Sequence, residues 1–364
     1  ARKGYMDIMK KVALIMAGGK GERFWPRSRQ SMPKQFLSLT DDDRTMIQLT
    51  VDRILPLVAM EDIFVVTNES YEALVREQLP ELPPANILCE PAGRNTAPCI
   101  GWGACCVAEK YGDAVMMVLP SDQMVQCVDD FRKVMARACD VAEQGENLVT
   151  LGIKPDCPET GYGYIKFCPQ STDDACCRVE RFVEKPDLET ARQYVASGQY
   201  LWNSGMFIWK ASTILANIGK YLPEIVPGLQ KIRSAMGTPE QHEVLNREFL
   251  AFPSQSIDYG VMEKAENIYT IGCSIGWDDV GSWLAVGRIQ DSDQQGNVVA
   301  GNAVLVDARN CVVQSENKLV AVVGDEDLIV VNTDDALLVC KADSAGKIKK
   351  VLETLKLSDR TEYL

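Results

Sequence analysis

A single histidine, His242, stands in a chain of 364 residues, and it falls within PEQHEVLNREF, a polar stretch with helical spacing. One surface imidazole supports neither a serine–histidine triad nor a histidine zinc site, so neither is expected. Long apolar runs are also missing: none approaches the roughly 18 residues of a transmembrane helix. The amino terminus lacks the charged and apolar regions of a signal peptide, and residues 1–8 are set aside as a frayed extension. A cytoplasmic protein without a membrane partner is the expectation. Positive charge is scarce too. A formal net charge of −13 argues against nucleic acid or an anionic bilayer as partner, because a phosphate backbone demands a broad basic face. The thirteen cysteines include no CxxC, are odd in number, and fall twice as neighbours (Cys105-Cys106, Cys176-Cys177). Reduced thiols, many packed as small apolar residues, fit that pattern better than disulfides or a metal.

Against this background one stretch reverses the sign. Residues 12–36 read VALIMAGGKGERFWPRSRQSMPKQF, a short buried-strand pattern breaking into Ala17-Gly18-Gly19-Lys20-Gly21. Five cations (Lys20, Arg23, Arg27, Arg29, Lys34) stand there against the carboxylate of Glu22. Glycines let backbone N–H groups approach an anion, so the stretch reads as a polyphosphate site. It matches neither the dinucleotide fingerprint GxGxxG nor the P-loop GxxxxGK[ST], since Lys20 precedes Gly21 and no Ser or Thr follows.

The rest of the first 150 residues alternates. Helical spacing over 45–58, 69–79, 96–111 and 128–143 is interleaved with strand patterns at 63–67, 86–89, 114–119 and 148–153. The turn Asp41-Asp42-Asp43 is read as facing water. Such alternation predicts a doubly wound, mostly parallel α/β sheet with helices on both faces, whose ligands lie at the carboxyl ends of the strands. Two more strand ends are unusual. Glu90-Pro91-Ala92-Gly93-Arg94-Asn95-Thr96 puts Arg94 and Asn95 at a helix start, where free N–H groups suit carbonyl or phosphate oxygens; a plain N-cap is the other reading. Leu119-Pro120-Ser121-Asp122 ends a strand on a carboxylate, as a turn former or as a hard oxygen ligand for Mg²⁺.

Later stretches place polar groups in apolar patterns: Thr160-Gly161-Tyr162-Gly163-Tyr164, Glu184-Lys185 and Asn203. Together they offer a carboxylate, an ammonium, an amide and open backbone, which is what sugar hydroxyls and a monophosphate require. Residues 255–264 read as a capped helix of structural character. In Trp277-Asp278-Asp279-Val280 two adjacent carboxylates would repel unless one meets a cation.

These motifs, in this order, resemble the sugar nucleotidyltransferases; FWPRSR, PKQF and EPAGRNTAP resemble the mannose-1-phosphate guanylyltransferases (GDP-mannose pyrophosphorylases) in particular. The resemblance implies a glycosyltransferase-A-like nucleotidyltransferase fold, with GTP and mannose 1-phosphate as substrates and Mg²⁺ as cofactor. It assigns Arg23, Lys34, Asp122 and Asp279 to catalysis, the two aspartates as metal ligands. Ala17, Gly18, Gly19, Gly21, Glu90, Gly93, Arg94, Asn95, Thr96 and Ser121 fall to the nucleotide, and Gly161, Tyr162, Gly163, Glu184, Lys185 and Asn203 to the sugar phosphate. Gln123 stands where the family usually has histidine, and Gly260 where alanine is more usual. From residue 297 short apolar runs recur every seven to ten residues, an all-β pattern. Resemblance favours a short left-handed β-helix that in relatives helps form a dimer, so a homodimer is expected. The division is a catalytic domain over 9–290 and a β-rich domain over 291–364 with a closing helix at 347–357. Two alternatives stay open: a silent sugar-nucleotide sensor of this fold, and an enzyme using another sugar 1-phosphate or base.

Overall fold

The computed structural model describes residues 9–40, 42–168 and 176–364; residues 1–8 and Asp41 of the acidic turn lie outside the described residues, while Asp42 and Asp43 are exposed. The chain forms two compact units. One gathers residues up to Gly18 with 53–120 and 125–277; the other gathers 19–52, 121–124 and 278–364.

The first unit is built on nine strands: β1 (Lys11–Ala17), β2 (Ile63–Asn68), β3 (Ile87–Glu90), β4 (Val115–Pro120), β6 (Leu148–Ile153), β7 (Tyr164–Phe167), β8 (Cys176–Val183), β9 (Tyr200–Lys210) and β10 (Ile268–Cys273). Two-residue strands, β5 (Met124–Val125) and β11 (Trp277–Asp278), mark where the chain passes from one unit to the other. The nine lie in the order β3-β2-β1-β4-β9-β6-β10-β8-β7. From β3 to β4 all neighbours are parallel, as are β6 and β10, whereas β9 runs antiparallel to both β4 and β6. The sheet is therefore mixed, with a parallel half whose strands end at Ala17, Glu90 and Pro120 on one edge.

Ten α-helices lie among the described residues: α1 (Met46–Ile54), α2 (Glu72–Gln78), α3 (Thr96–Tyr111), α4 (Val128–Glu143), α5 (Leu188–Ser197), α6 (Ala211–Tyr221), α7 (Val226–Ala235), α8 (Gln241–Ala251), α9 (Trp283–Ile289) and α10 (Ile348–Leu357). Successive residues of a strand point to opposite faces. Accordingly Val12 and Leu14 join a core with α3, α6, α7 and α8, and the equally buried Ala13 and Ile15 point the other way. There α4, with Phe131, Met135 and Ala138 fully buried, packs on β4, β6 and β9. Burial on both faces is why the parallel strands read as unbroken apolar runs.

The second unit contains a four-stranded sheet: β12 (Val298–Val306), β13 (Val312–Val323), β14 (Leu328–Asn332) and β15 (Leu337–Lys341), parallel from β12 to β14 and closed by antiparallel β15. Its apolar side does not bury itself. Val312, Ile329, Val331 and Leu338 share one core with Phe24, Trp25, Leu37, Leu39, Trp283 and the α10 residues Ile348, Leu352 and Leu355. Within this unit residues 291–364 take their cover largely from the segment 19–52 and from Trp283.

All thirteen cysteines are free thiols. No helix among the described residues is long and apolar enough to cross a membrane. His242 lies on α8 with its side chain 79% exposed, a surface residue as expected.

Candidate active site

In the second unit the glycine loop lies directly on Lys34. Gly21 has φ 58°, and a Cβ there would stand 2.5 Å from both the backbone N and the Cβ of Lys34. Only glycine tolerates both the dihedral and the contact. Lys34 opens a short 3₁₀ turn, Lys34–Phe36, and is buried. Its Nζ donates to Asp122 Oδ2 at 3.0 Å and to the Asp279 carbonyl oxygen at 2.7 Å, 5.7 Å from the centre of the Phe24 ring. An ammonium carries three donors, so these two contacts leave one for a ligand oxygen. Arg23, on the 3₁₀ turn Glu22–Phe24, is exposed. A Cβ on Gly281 would stand 2.8 Å from Asp279 Oδ2 and 3.4 Å from Arg23 Nη1, so carboxylate and guanidinium flank the same bare backbone.

These groups line a pocket of about 390 Å³, joined there by Lys20, Glu22 and Lys349. Four cations (Lys20, Arg23, Lys34, Lys349) face three carboxylates (Glu22, Asp122, Asp279). That lining is far less positive than the local sequence implied, because two of its five cations point elsewhere. Arg27 donates to the Ser38 carbonyl and to Gln314 Oε1, and lies 3.5 Å from Glu316; Arg29 grips Asp335 with two bonds of 3.1 and 2.7 Å. Both bind the tail segments of the β sheet. Lys349, at the start of α10, escaped the sequence reading, since nothing distinguishes it from the other lysines of an amphipathic helix.

Phe24, which also lines the pocket, is held by an aromatic chain behind it. Phe24 meets Trp283 edge-on at 5.2 Å, the Trp283 indole donates to the Trp25 carbonyl at 3.1 Å, and the Trp25 indole donates to the Tyr363 carbonyl at 2.7 Å. The adjacent carboxylates are resolved as expected: Asp278 takes two bonds from Arg288, at 2.8 and 3.1 Å, while Asp279 lines the pocket.

Two further groups lie within the first unit. In the 90–96 motif Asn95, at φ 65°, accepts from the Thr96 N–H at 2.8 Å and caps α3. Arg94 donates to the Leu250 carbonyl, and Thr96 Oγ1 accepts from the Ile257 N–H at 2.8 Å. The cap reading therefore holds for Asn95, and all three side chains are engaged by the protein. Glu90 is different. Its Oε1 is buried without a hydrogen-bond partner, and a Cβ on Gly18 would lie 3.7 Å from Oε2. Burial pushes this carboxyl up to about 7. A proton held in the folded state but not in the unfolded one stabilises below the unfolded value, and that stability is lost as pH rises through about 7. Glu90→Gln is expected to flatten the fall in urea midpoint between pH 5 and 8, removing on the order of 2–3 kcal/mol of pH dependence. An unchanged slope would refute a buried, proton-binding Glu90.

The sugar-side candidates also gather. A Cβ on Gly163 would come 2.4 Å from Glu184 Oε2, so glycine is required where that carboxylate lies on the loop. Asn203 donates its backbone N–H to the Gly163 carbonyl at 2.8 Å. Lys185, at φ 45°, holds its Nζ 3.2 Å from Glu184 Oε1. Tyr162 stands edge-on to Trp202 and Trp277 at 5.2 and 5.3 Å, and the exposed Gly161 donates to Glu159 Oε1. Asp258, which the sequence reading passed over in a stretch taken as an ordinary helix, is half-buried in a π-helical turn, Asp258–Met262, and accepts from the Asn203 amide at 2.9 Å. Burial beside the Glu184 charge pushes it up to about 7. An irregular turn of this kind is the only sequence-independent hint, and Gly260 is its trace in the sequence.

A family model described as nucleotidyl transferase matches residues 12–296, and one described as MannoseP isomerase/GMP-like beta-helix domain matches 301–355. The mannose-1-phosphate guanylyltransferase of Escherichia coli is 41% identical over 96% of this chain and 75% of its own length. Xanthan biosynthesis protein XanB of Xanthomonas campestris pv. campestris is 42% identical over 96% of this chain and 74% of its own. Among solved structures, one titled mannose-1-phosphate geranyltransferase, from Thermus thermophilus, superposes with a TM-score of 0.87 at 36% identity, covering 96% of this chain and 100% of that one. With the fold, the paired aspartates and the lysine between them on one side, and relatives aligned over nearly its whole length on the other, this chain belongs to the nucleotidyl transferase family.

Proposed function

We propose that the chain transfers GMP from GTP to α-D-mannose 1-phosphate, forming GDP-mannose and pyrophosphate. The observation that carries the proposal is the lining of the second unit's pocket, where Lys34 is held between Asp122 and Asp279 beside Arg23. A phosphate oxygen of the sugar attacks the α-phosphorus, the bond to the bridging oxygen of the β-phosphate breaks, and pyrophosphate leaves with the electron pair. That oxygen is already ionised at pH 7, so no general base is needed, and a chain with one surface histidine suffices. Lys34 lies against the α-phosphate and Arg23 against the leaving phosphates, each cancelling charge that shifts in the transition state. A divalent cation fits the residues present: two aspartates supply hard oxygens, and Mg²⁺ usually takes one or two carboxylates with substrate phosphates and water. Mg²⁺ so held would neutralise triphosphate charge that the pocket's own mixed lining leaves uncompensated.

Guanine is supported by Glu90, whose unpartnered buried oxygen would accept from the guanine N–H edge. Mannose 1-phosphate is supported by the names of the relatives and by the polar cradle of Glu184, Lys185 and Asn203. A homodimer is supported by apolar side chains left open on the β sheet, such as Leu319, Val323 and Leu337.

Pyrophosphate release with GTP, Mg²⁺ and mannose 1-phosphate, against a panel of other nucleotides and sugar phosphates, tests the reading. Asp122→Ala and Asp279→Ala are each expected to lower turnover about a hundredfold while staying folded. No pyrophosphate from any pair would leave a silent binding protein, and a different best pair would keep the enzyme but change its substrates.

A further inference from the structure

We propose that Asp258 is a positioning residue of the sugar-phosphate site, orienting the Asn203 amide so that its remaining N–H faces the sugar beside Glu184. The proposal rests on reading Glu184 and Asn203 as sugar contacts, and its test separates the two.

Asn203 could face a ligand either way round. An amide presents a donor pair and an acceptor of nearly the same shape, and only its neighbours decide which is where. Here they decide. Asn203 Oδ1 accepts from the Gly205 N–H at 3.1 Å, and Nδ2 donates to Asp258 Oδ1 at 2.9 Å. The Gly205 N–H can only donate, so it fixes the oxygen end, and Asp258 Oδ1 accepts from the NH₂ end. That bond uses one of two amide hydrogens, and the second has no partner among the described residues. Glu184 Oε2 is buried and without a partner as well, held against the Gly163 backbone. One free donor and one free acceptor in the same cradle match a sugar hydroxyl, which gives one hydrogen bond and accepts another.

Asp258 is itself fixed from both ends of its segment. On one side Gln255 donates its N–H to the Arg94 carbonyl at 3.2 Å and Ile257 donates to Thr96 Oγ1 at 2.8 Å. On the other, Glu263 Oε1 accepts from the Glu184 N–H at 3.1 Å. The same short stretch therefore sets the amide of Asn203 and the backbone that carries Glu184. Keeping a carboxylate buried beside Glu184 destabilises the fold, and such a cost is commonly retained where geometry serves function.

The test measures KM for mannose 1-phosphate and for GTP separately in Asn203→Ala, Asp258→Ala and the double variant, with native circular dichroism as the check of folding. Asp258→Ala is expected to raise the sugar-phosphate KM about tenfold and to leave the GTP KM within about twofold, since the amide it orients touches only the sugar. The double variant should be no worse than Asn203→Ala alone, because Asp258 acts through that amide. Asp258→Asn, which keeps an acceptor oxygen and the shape, should recover most of the loss. Should the alanine chain not fold, Asp258→Leu fills the volume without an acceptor and gives the same comparison. A sugar-phosphate KM that rises in Asn203→Ala but not in Asp258→Ala overturns the positioning role alone. A double variant far worse than Asn203→Ala also overturns it, by making Asp258 a direct contact. An unchanged KM in Asn203→Ala overturns the sugar-site reading beneath it.

Discussion

Lys34→Ala is expected to lower turnover by at least about a hundredfold, roughly 3 kcal/mol of transition-state stabilisation, with the native circular dichroism retained. Both halves of the expectation follow from what the ammonium touches. It draws together a side chain that begins after β4 and a carbonyl that lies just past β11, and a third donor remains for the phosphate in flight. Deleting it removes one aligned charge and frees Asp122 to swing. The fold survives because the Asp122 carboxylate left behind is well exposed, at 39%, and water can solvate it. Lys34→Arg is not expected to rescue. The guanidinium is a planar fork rather than a point charge, and the Gly21 backbone is already packed on the Lys34 main chain, so the larger head cannot settle between the same two oxygens. Steady-state pyrophosphate release decides the matter: turnover within threefold of wild type would remove Lys34 from the chemistry.

Trp283→Ala carries the largest expected loss of stability, about 4 kcal/mol, read as a lower urea midpoint. The indole is fully buried, edge-on against Phe24 and bonded to the Trp25 carbonyl. Emptying that space leaves a cavity under the turn that carries Arg23, so turnover should fall with stability although no ligand-facing group has been touched. A midpoint unchanged within error would show that the tail does not support the glycine loop.

How far the sequence disclosed these features depended on the physics of each. The limits of β2, β4, β6, α3 and α4 agree with the expected ones to within a residue or two, because strands buried on both faces and helices with one apolar side carry their environment in their composition. Asp122 was legible as a carboxylate at a strand end, whereas Glu90 and Asp279 were singled out only by the resemblance. Arg27 and Arg29 were not separable from Arg23 and Lys20, since a cation's partner is set by the fold and not by its neighbours in the chain. In the tail, apolar runs expected as separate strands proved to be halves of longer ones. β13 spans both runs: Val312 to Ser315 pair with β12 and β14, Val320 to Val323 pair with β12 again, and the polar residues between them fall where the register with β12 shifts. β12 bends at Gly301, φ 89°, where any Cβ would strike the Ser315 carbonyl.

The second unit draws on segments far apart in the chain, and this bears on how the protein is made. Its early segment ends at residue 52, and apart from 121–124 its partners begin only at residue 278. At ribosomal speeds of ~5–20 residues per second, the 225 intervening residues (53 to 277) occupy roughly 10–45 s. Through that interval Phe24, Trp25 and Leu39 lack the side chains that later enclose them, and contacts this distant close slowly even afterwards. A nascent chain stalled before α10 has emerged would thus hold a folded sheet beside a sticky, unfinished phosphate loop, a natural client for chaperones and a ready substrate for proteases.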